Sequence, residues 1–146
     1  MDGVVAAALS CTLHLFGFTV TAVLEKAEEW VEARDLDVVE LWSGVEAITR
    51  AAINKRFRAR AFDVIHSPTE DITTETGFNL ALRYVLRLRP SGLLAMAPVC
   101  SSFTFPNTSN TKRTKSRVQG DIDYEPVRAG NLMANIAAFF LAVAVA

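Results

Sequence analysis

The feature that most constrains the fold is an alternation of short apolar segments with longer segments of helical pattern. Each short segment is bounded by charged or turn-forming residues, as strands are, and the longer ones repeat apolar residues at helical spacing. The order strand–helix, repeated three times, predicts an α/β fold with a Rossmann-like parallel sheet and right-handed crossovers. With only about three strands, the predicted sheet is incomplete. The predicted elements are a strand at 37–42, a helix at 45–57, a strand at 60–65, a helix at 74–88, a strand at 93–97 and a helix from 126 onward.

Particular residues set the limits of these elements. Thr73 or Thr74 is expected to cap the second of the three helices, and the segment 89–92 (Arg-Pro-Ser-Gly) is expected to end it. The run 93–97 is continuously apolar, which predicts a strand that is covered on both faces. Pro126 opens the final helix, since proline is favoured in a first helical turn.

The N-terminal part of the chain has a different character. Residues 3–24 contain no charged side chain, and such a run is long enough to span a bilayer. The strongly helical residues that follow favour instead one long buried or amphipathic helix that ends near Ala33. The chain thus divides into an N-terminal helical region at 1–35 and a partial Rossmann-like domain at 36–146. The alternative is a small membrane-attached protein anchored by 3–24.

Composition narrows the class of protein. Hydrophobic residues make up 51% of the chain and charged residues 21%, which excludes a wholly disordered protein. The formal net charge of −1 provides no overall attraction to nucleic acid. The two cysteines and two histidines have neither a disulfide pattern nor zinc-ligand spacing, so no metal is expected. An intracellular location, cytoplasm or nucleus, is the default, and His66 is interpreted as a loop residue.

The carboxyl ends of the predicted strands hold the candidate functional residues, because ligands of parallel α/β sheets bind beyond these ends. Gly44 directly follows the first strand and allows the backbone to turn tightly and approach a ligand. Asp63 follows the second strand about 20 residues later, the spacing of a carboxylate that binds ribose hydroxyls. Since single glycines are common after strands, an Asp63 that merely ends its strand in solvent is the alternative.

Cys100 lies just beyond the third predicted strand. An activated thiolate needs partial exposure and positive surroundings, and the polar loop that follows contains basic residues that can supply them. The alternative is a small, half-buried side chain that only ends the strand. The same loop is the candidate contact to nucleic acid, with a solvated flexible loop as the alternative. Its basic residues are Lys112, Arg113, Lys115 and Arg117.

Four motifs resemble, in family order, the N-terminal half of 5-methylcytosine DNA methyltransferases. They are Glu40-Leu41-Trp42-Ser43-Gly44, Asp63, Asp71-Ile72 and Pro98-Val99-Cys100-Ser101-Ser102-Phe103-Thr104. The resemblance implies an S-adenosylmethionine cofactor and a cysteine nucleophile, Cys100, that attacks a cytosine. The implied cofactor-binding residues are Glu40, Trp42, Ser43, Gly44, Asp63, Asp71 and Pro98. The last motif is also similar to an Ala-Pro-Pro-Cys-Ser-Ser motif of uncharacterised methyltransferase-like proteins of unicellular algae.

The sequence departs from the family pattern in ways that affect function. Glu46 lies near the position of a second family glycine, and Val99 replaces a family proline. The family's later Glu-Asn-Val motif and target-recognition region have no counterpart here, so an incomplete methyltransferase-like domain is expected. Two alternatives therefore stay open. One is a truncated, non-catalytic relic, and the other is an interaction module that self-associates through an exposed apolar helix at 132–146.

Overall fold

The computed structural model of the chain describes Gly17 and residues 20–30 and 33–145. Cys11, His14 and most of the candidate membrane run 3–24 lie outside these residues. The strands are β1 (Leu36–Leu41), β2 (Ala59–Phe62) and β3 (Leu88–Met96). The α-helices are α1 (Val20–Trp30), α2 (Ala47–Asn54), α3 (Glu75–Leu86), α4 (Thr108–Thr111) and α5 (Glu125–Val145). Short 3-10 helices occur at Pro68–Glu70, Ser101–Phe103 and Phe105–Asn107.

The three strands form one parallel sheet in the order β2-β1-β3. In the central strand β1, Val38 pairs with Ala59 on one side and with Leu93 on the other. Val39 and Leu41 on one face of β1 are completely buried, and Val38 and Glu40 on the other face are buried as well, as expected for a strand covered on both faces. The predicted α/β class and the parallel sheet of three strands are therefore confirmed.

The core lies between the sheet, α3 and α5. Phe78 of α3 contacts Phe139 and Phe140 of α5, with ring centroids 5.3 and 5.1 Å apart. All three rings are completely buried, and full burial of each contributes about 1.5–3 kcal/mol to folding. The apolar C-terminal segment thus folds back on the sheet with one of its faces in the core. Leu141 and Val145 lie on its exposed side.

The helix α3 begins where its sequence signal placed it. Thr74 is the N-cap, and its hydroxyl accepts a hydrogen bond from the backbone N–H of Gly77. Gly77 is required because a Cβ there would lie 1.9 Å from the carbonyl oxygen of Asp71. The chain before α3 and the first turn of this helix therefore pack with no room for a side chain.

Strand β3 differs from its prediction in length and in burial. The segment 89–92, expected to end the preceding helix, belongs to β3, and the pairing with β1 shifts register between Leu36 and Val38. The prediction of a strand covered on both faces is wrong, because Leu93 is 52% exposed. The physical reason is that β3 packs against α3 and α5, whereas α2 packs against β1 and β2 and leaves part of β3 uncovered. β3 is an edge strand of this sheet.

Strand β2 ends at Phe62, three residues before its predicted end. The side chain of Asp63 accepts a hydrogen bond from the N–H of Ile65, which turns the chain at that point. Val64 and Ile65 are consequently exposed, although their β-branched side chains favour a strand. A polar turn residue here outweighs local strand propensity.

The described part of the predicted N-terminal helix is α1, with 11 residues, and Val23 and Ala27 on it join the main core. The longest described helix is at the C-terminal end instead, since α5 has 21 residues. Among the described residues, α5 is also the helix that is long and apolar enough to cross a membrane. The same length and composition are found in core helices of soluble proteins, and α5 has such buried positions at Ile136 and Phe139.

Candidate functional site

The carboxyl ends of the three strands meet at one edge of the sheet, because Leu41 pairs with both Phe62 and Met96. A cavity of about 390 Å³ lies at this edge. This volume is within the range of small-molecule sites. Apolar side chains line most of it, and three carboxylates and Thr73 complete the lining. The apolar residues include Trp42, Phe62, Ile72, Val99 and Met133, and the carboxylates belong to Asp63, Glu70 and Asp71.

The turn between β1 and α2 has an unusual backbone. Trp42, Gly44 and Glu46 have positive φ values of 55°, 51° and 60°. Glycine adopts this conformation freely, whereas a tryptophan or a glutamate in it costs about 1 kcal/mol or more. A Cβ at Gly44 would meet no atom within 4 Å, so the space above this backbone is open. The turn thus exposes its backbone at the edge where ligands of such sheets bind.

Asp63 ties the ends of β1 and β2 together. Its Oδ2 accepts a hydrogen bond of 2.9 Å from the N–H of Gly44, and its Oδ1 accepts one of 3.0 Å from Ile65. The N–H of Asp63 in turn donates to Oε2 of Glu70, also at 3.0 Å. The pairing of Gly44 with a carboxylate one strand later is therefore a direct contact. Asp63 also lines the cavity.

Glu40 points into the protein rather than toward the cavity. It is 6% exposed, and its Oε2 accepts hydrogen bonds of 2.7 Å from both the backbone N–H and the hydroxyl of Thr49. Its Oε1 accepts a longer bond of 3.4 Å from the N–H of Ile48. This carboxylate therefore caps the first turn of α2 and compensates the positive end of the helix dipole.

Ser43 and His66 form a contact that the sequence interpretation missed. The Oγ of Ser43 lies 3.1 Å from Nε2 of His66, and Oε1 of Glu46 lies 3.4 Å from the same nitrogen. A catalytic triad needs the nucleophile and the acid on opposite ring nitrogens, so this group is not a proton relay of that type. It instead links the β1–α2 turn to the turn after β2. The contact spans 23 residues, and no local pattern at His66 announces it.

Asp71 stabilises the turn before α3 and faces the cavity at the same time. Its Oδ1 accepts hydrogen bonds from the N–H and the hydroxyl of Thr73, at 2.9 and 2.6 Å. Its backbone carbonyl accepts a bond of 2.7 Å from the hydroxyl of Thr74. The side chain also lines the cavity, together with that of Thr73. Asp71 is thus both a turn residue and a candidate ligand contact.

Cys100 is an exposed free thiol at the N-terminus of the short 3-10 helix Ser101–Phe103. Neither Cys100 nor Pro98 lines the cavity, although Val99 between them does. The structure therefore brings together Trp42, Asp63 and Asp71 around one space. It leaves Pro98 and Cys100 next to that space, and it directs Glu40 away from it.

The polar segment after β3 is folded against α5. The guanidinium group of Arg113 donates to the carbonyl of Ser102 at 2.8 Å and to Oδ1 of Asn131 at 2.9 Å. It also stacks over the ring of Phe103, 3.9 Å from the centroid. Burial lowers the pKa of Arg113 from its ordinary value. Arg113 is consequently an anchor of this segment, whereas Lys112, Lys115 and Arg117 are exposed.

A second cavity, of about 530 Å³, lies at the opposite edge of the sheet beside Trp30, Tyr84 and the Asp35–Arg87 pair. Asp35 and Arg87 directly precede β1 and β3. This cavity is at the amino end of the strands, where ligands of parallel α/β sheets do not usually bind. The smaller cavity at the carboxyl edge is therefore the candidate site.

Comparisons with known proteins identified no relative of this chain. No protein-family profile, no curated protein and no solved structure matches this chain.

Proposed function

We propose that this chain is an intracellular S-adenosylmethionine-binding domain of the methyltransferase type. The observation that carries the proposal is the hydrogen bond between Gly44 and Asp63 beside a cavity of about 390 Å³. A glycine turn after one strand and a carboxylate after the next are the two parts that a Rossmann-type site uses to hold an adenosine. The four motifs of the sequence provide the preference for this cofactor over other nucleotides.

The residues of the cavity fit the adenosine part of the cofactor. Trp42, Phe62 and Ile72 provide apolar surface for a purine ring, as expected of small-molecule sites. Each oxygen of Asp63 accepts one backbone N–H, and a carboxylate oxygen can accept a second hydrogen bond. Asp63 is thus able to accept bonds from ribose hydroxyls without losing its structural contacts.

The chemistry of a methyltransferase comes from the cofactor, which supplies a methyl group bound to a positively charged sulfur. Cys100 is the residue of this chain suited to the nucleophilic role that the cytosine-C5 type requires. Its thiol is exposed, so a substrate can reach it, and its neighbour Val99 borders the cavity. The exposed basic residues of the same loop, Lys112, Lys115 and Arg117, are suited to contact a nucleic-acid substrate.

Calorimetric titration with S-adenosylhomocysteine tests the proposal. The unmodified chain is expected to bind in the micromolar range. Asp63→Asn keeps an oxygen acceptor for Gly44 but loses the charge, and it is expected to weaken binding at least about tenfold. Cys100→Ala serves as the matched control and is expected to bind within about twofold of the unmodified chain.

Two results would contradict the proposal. One is the absence of binding by a chain whose circular dichroism shows it to be folded. The other is unchanged affinity in a folded Asp63→Asn variant.

A second candidate function is a non-catalytic interaction module. The observation that favours it is the exposed apolar surface at Leu93 of the edge strand β3 and at Phe105, which is 90% exposed. Leu141 and Val145 on the outer side of α5 are also exposed apolar residues. Light scattering after size exclusion distinguishes the candidates, because self-association that Leu141→Lys abolishes would favour the module. Fractionation with and without detergent tests the membrane-attached alternative.

A further inference from the structure

The cavity at the carboxyl edge carries negative charge only. Asp63, Glu70 and Asp71 line it, and no lysine, arginine or histidine of the described chain does. The remaining lining is predominantly apolar, so it contributes no positive charge to offset these carboxylates. A ligand with a phosphate or a carboxylate would meet repulsion here.

Three of the backbone donors that could attract an anion at this edge are already in use. The N–H of Gly44 donates to Asp63, and the N–H groups of Ile48 and Thr49 donate to the buried carboxylate of Glu40. The positive end of the α2 dipole is therefore neutralised from inside the protein. In Rossmann-type sites this is the position at which a cofactor's anionic group is held.

Two of the residues that line the cavity have unused acceptors. No hydrogen bond from the described residues reaches Oδ2 of Asp71 or Oε1 of Glu70, whose other oxygens bind Thr73 and Asp63. A carboxylate in an apolar setting favours a partner that donates hydrogen bonds. Ribose hydroxyls and the exocyclic amine of a purine are such donors.

We propose that this cavity holds the nucleoside–thioether part of its ligand and provides no subsite for a carboxylate or phosphate. The inference rests on the proposed function and restricts it. At three carboxylates, the attraction of the ammonium and the repulsion of the carboxylate at the amino-acid end of S-adenosylhomocysteine oppose each other, so this end adds little affinity. Phosphorylated nucleosides are rejected. Uncharged or cationic adenosine sulfur compounds are preferred over anionic nucleotides.

Calorimetry with four probes tests this inference: 5′-methylthioadenosine, S-adenosylhomocysteine, adenosine and adenosine monophosphate. The first two are expected to bind with dissociation constants within about threefold of each other, because they share the nucleoside and the sulfur. At low salt, adenosine monophosphate is expected to bind at least about thirtyfold more weakly than adenosine, since its phosphate faces three carboxylates.

A charge-removing variant separates electrostatic selection from simple loss of structure. Asp71→Asn keeps an oxygen that can accept the bonds from Thr73, and asparagine suits the same turn. In this variant, the affinity for adenosine divided by the affinity for adenosine monophosphate is expected to fall about tenfold. A purely structural defect would weaken both ligands equally and leave that ratio unchanged. Asp123→Asn, in an exposed turn outside the cavity, is the matched control.

The outcomes separate this inference from the proposal on which it rests. If S-adenosylhomocysteine binds at least about tenfold more tightly than 5′-methylthioadenosine, the site has a subsite for the amino acid. The inference is then overturned while the proposed function stands. Equal binding of adenosine and its monophosphate would also overturn the inference. If a folded chain binds none of the four probes, both proposals are overturned.

Discussion

Replacement of Glu40 by glutamine separates a structural role of this residue from the cofactor contact that the sequence motif implies. The carboxylate is buried and accepts three hydrogen bonds from the first turn of α2, two of them 2.7 Å long. Hydrogen bonds to charged groups contribute about 1.5–3 kcal/mol each, and glutamine keeps one of the two acceptor oxygens. The NH2 group of the glutamine would also face N–H donors, from which it cannot accept a hydrogen bond. We therefore expect Glu40→Gln to lower the free energy of unfolding by about 2–4 kcal/mol.

The assay is urea unfolding followed by tryptophan fluorescence, since Trp42 adjoins the affected turn. Thr49→Val is the comparison variant because it removes one of the hydrogen bonds to Glu40 and retains the other two. It is expected to cost about 1 kcal/mol. In the double variant the losses are expected to be less than additive, because both remove the same contact. A loss below about 0.5 kcal/mol for Glu40→Gln would refute the capping role.

Three further predictions concern other parts of the fold. Gly77→Ala places a methyl group against the backbone carbonyl of Asp71 and is expected to lower the free energy of unfolding by about 1–3 kcal/mol, measured by the same urea assay. An unchanged urea midpoint would contradict the close packing at this position. Arg113→Ala is expected to speed proteolytic cleavage between α4 and α5 while helix content stays constant. If the variant and the unmodified chain are cleaved at equal rates, Arg113 does not anchor the segment. Two hydrogen bonds from Arg87 hold the pKa of Asp35 below its ordinary value of 3.8. The stability that this pair supplies is therefore complete above pH 3.8. It is lost as the pH falls through the lowered pKa of Asp35 and the carboxylate is protonated. Asp35→Asn should accordingly reduce stability at pH 7, and the difference from the unmodified chain should shrink as the pH falls below the ordinary pKa of Asp35. A difference that does not depend on pH would argue against this ion pair.

Local signals in the sequence predict the parts of the fold that depend on neighbouring residues. The β-branched run of β1 and the cap at Thr74 are of this kind, and both lie within about two residues of their predicted positions. The glycine–carboxylate spacing of Gly44 and Asp63 also has a physical basis, since one crossover brings them within 2.9 Å. For these features, the local sequence pattern is enough to predict what the structure shows.

Other features depend on contacts between distant segments and carry no local signal. Glu40 occurs in a strand pattern, yet its charge is used by the following helix. His66 meets Ser43 across 23 residues, and Arg113 reaches Asn131 on α5. The exposure of Leu93 follows from the position of β3 at the edge of the sheet, which an apolar run alone does not encode. Tertiary packing determines each of these outcomes.

Chemical-shift mapping of the labelled chain with S-adenosylhomocysteine tests the central claim most directly. If the ligand occupies the cavity at the carboxyl edge, the backbone amide signals that move will be concentrated at Gly44, Asp63 and Ile72. Shifts concentrated at Trp30 and Arg87, around the cavity at the opposite edge, would contradict the assigned site. A folded chain whose signals do not move at all would contradict binding itself.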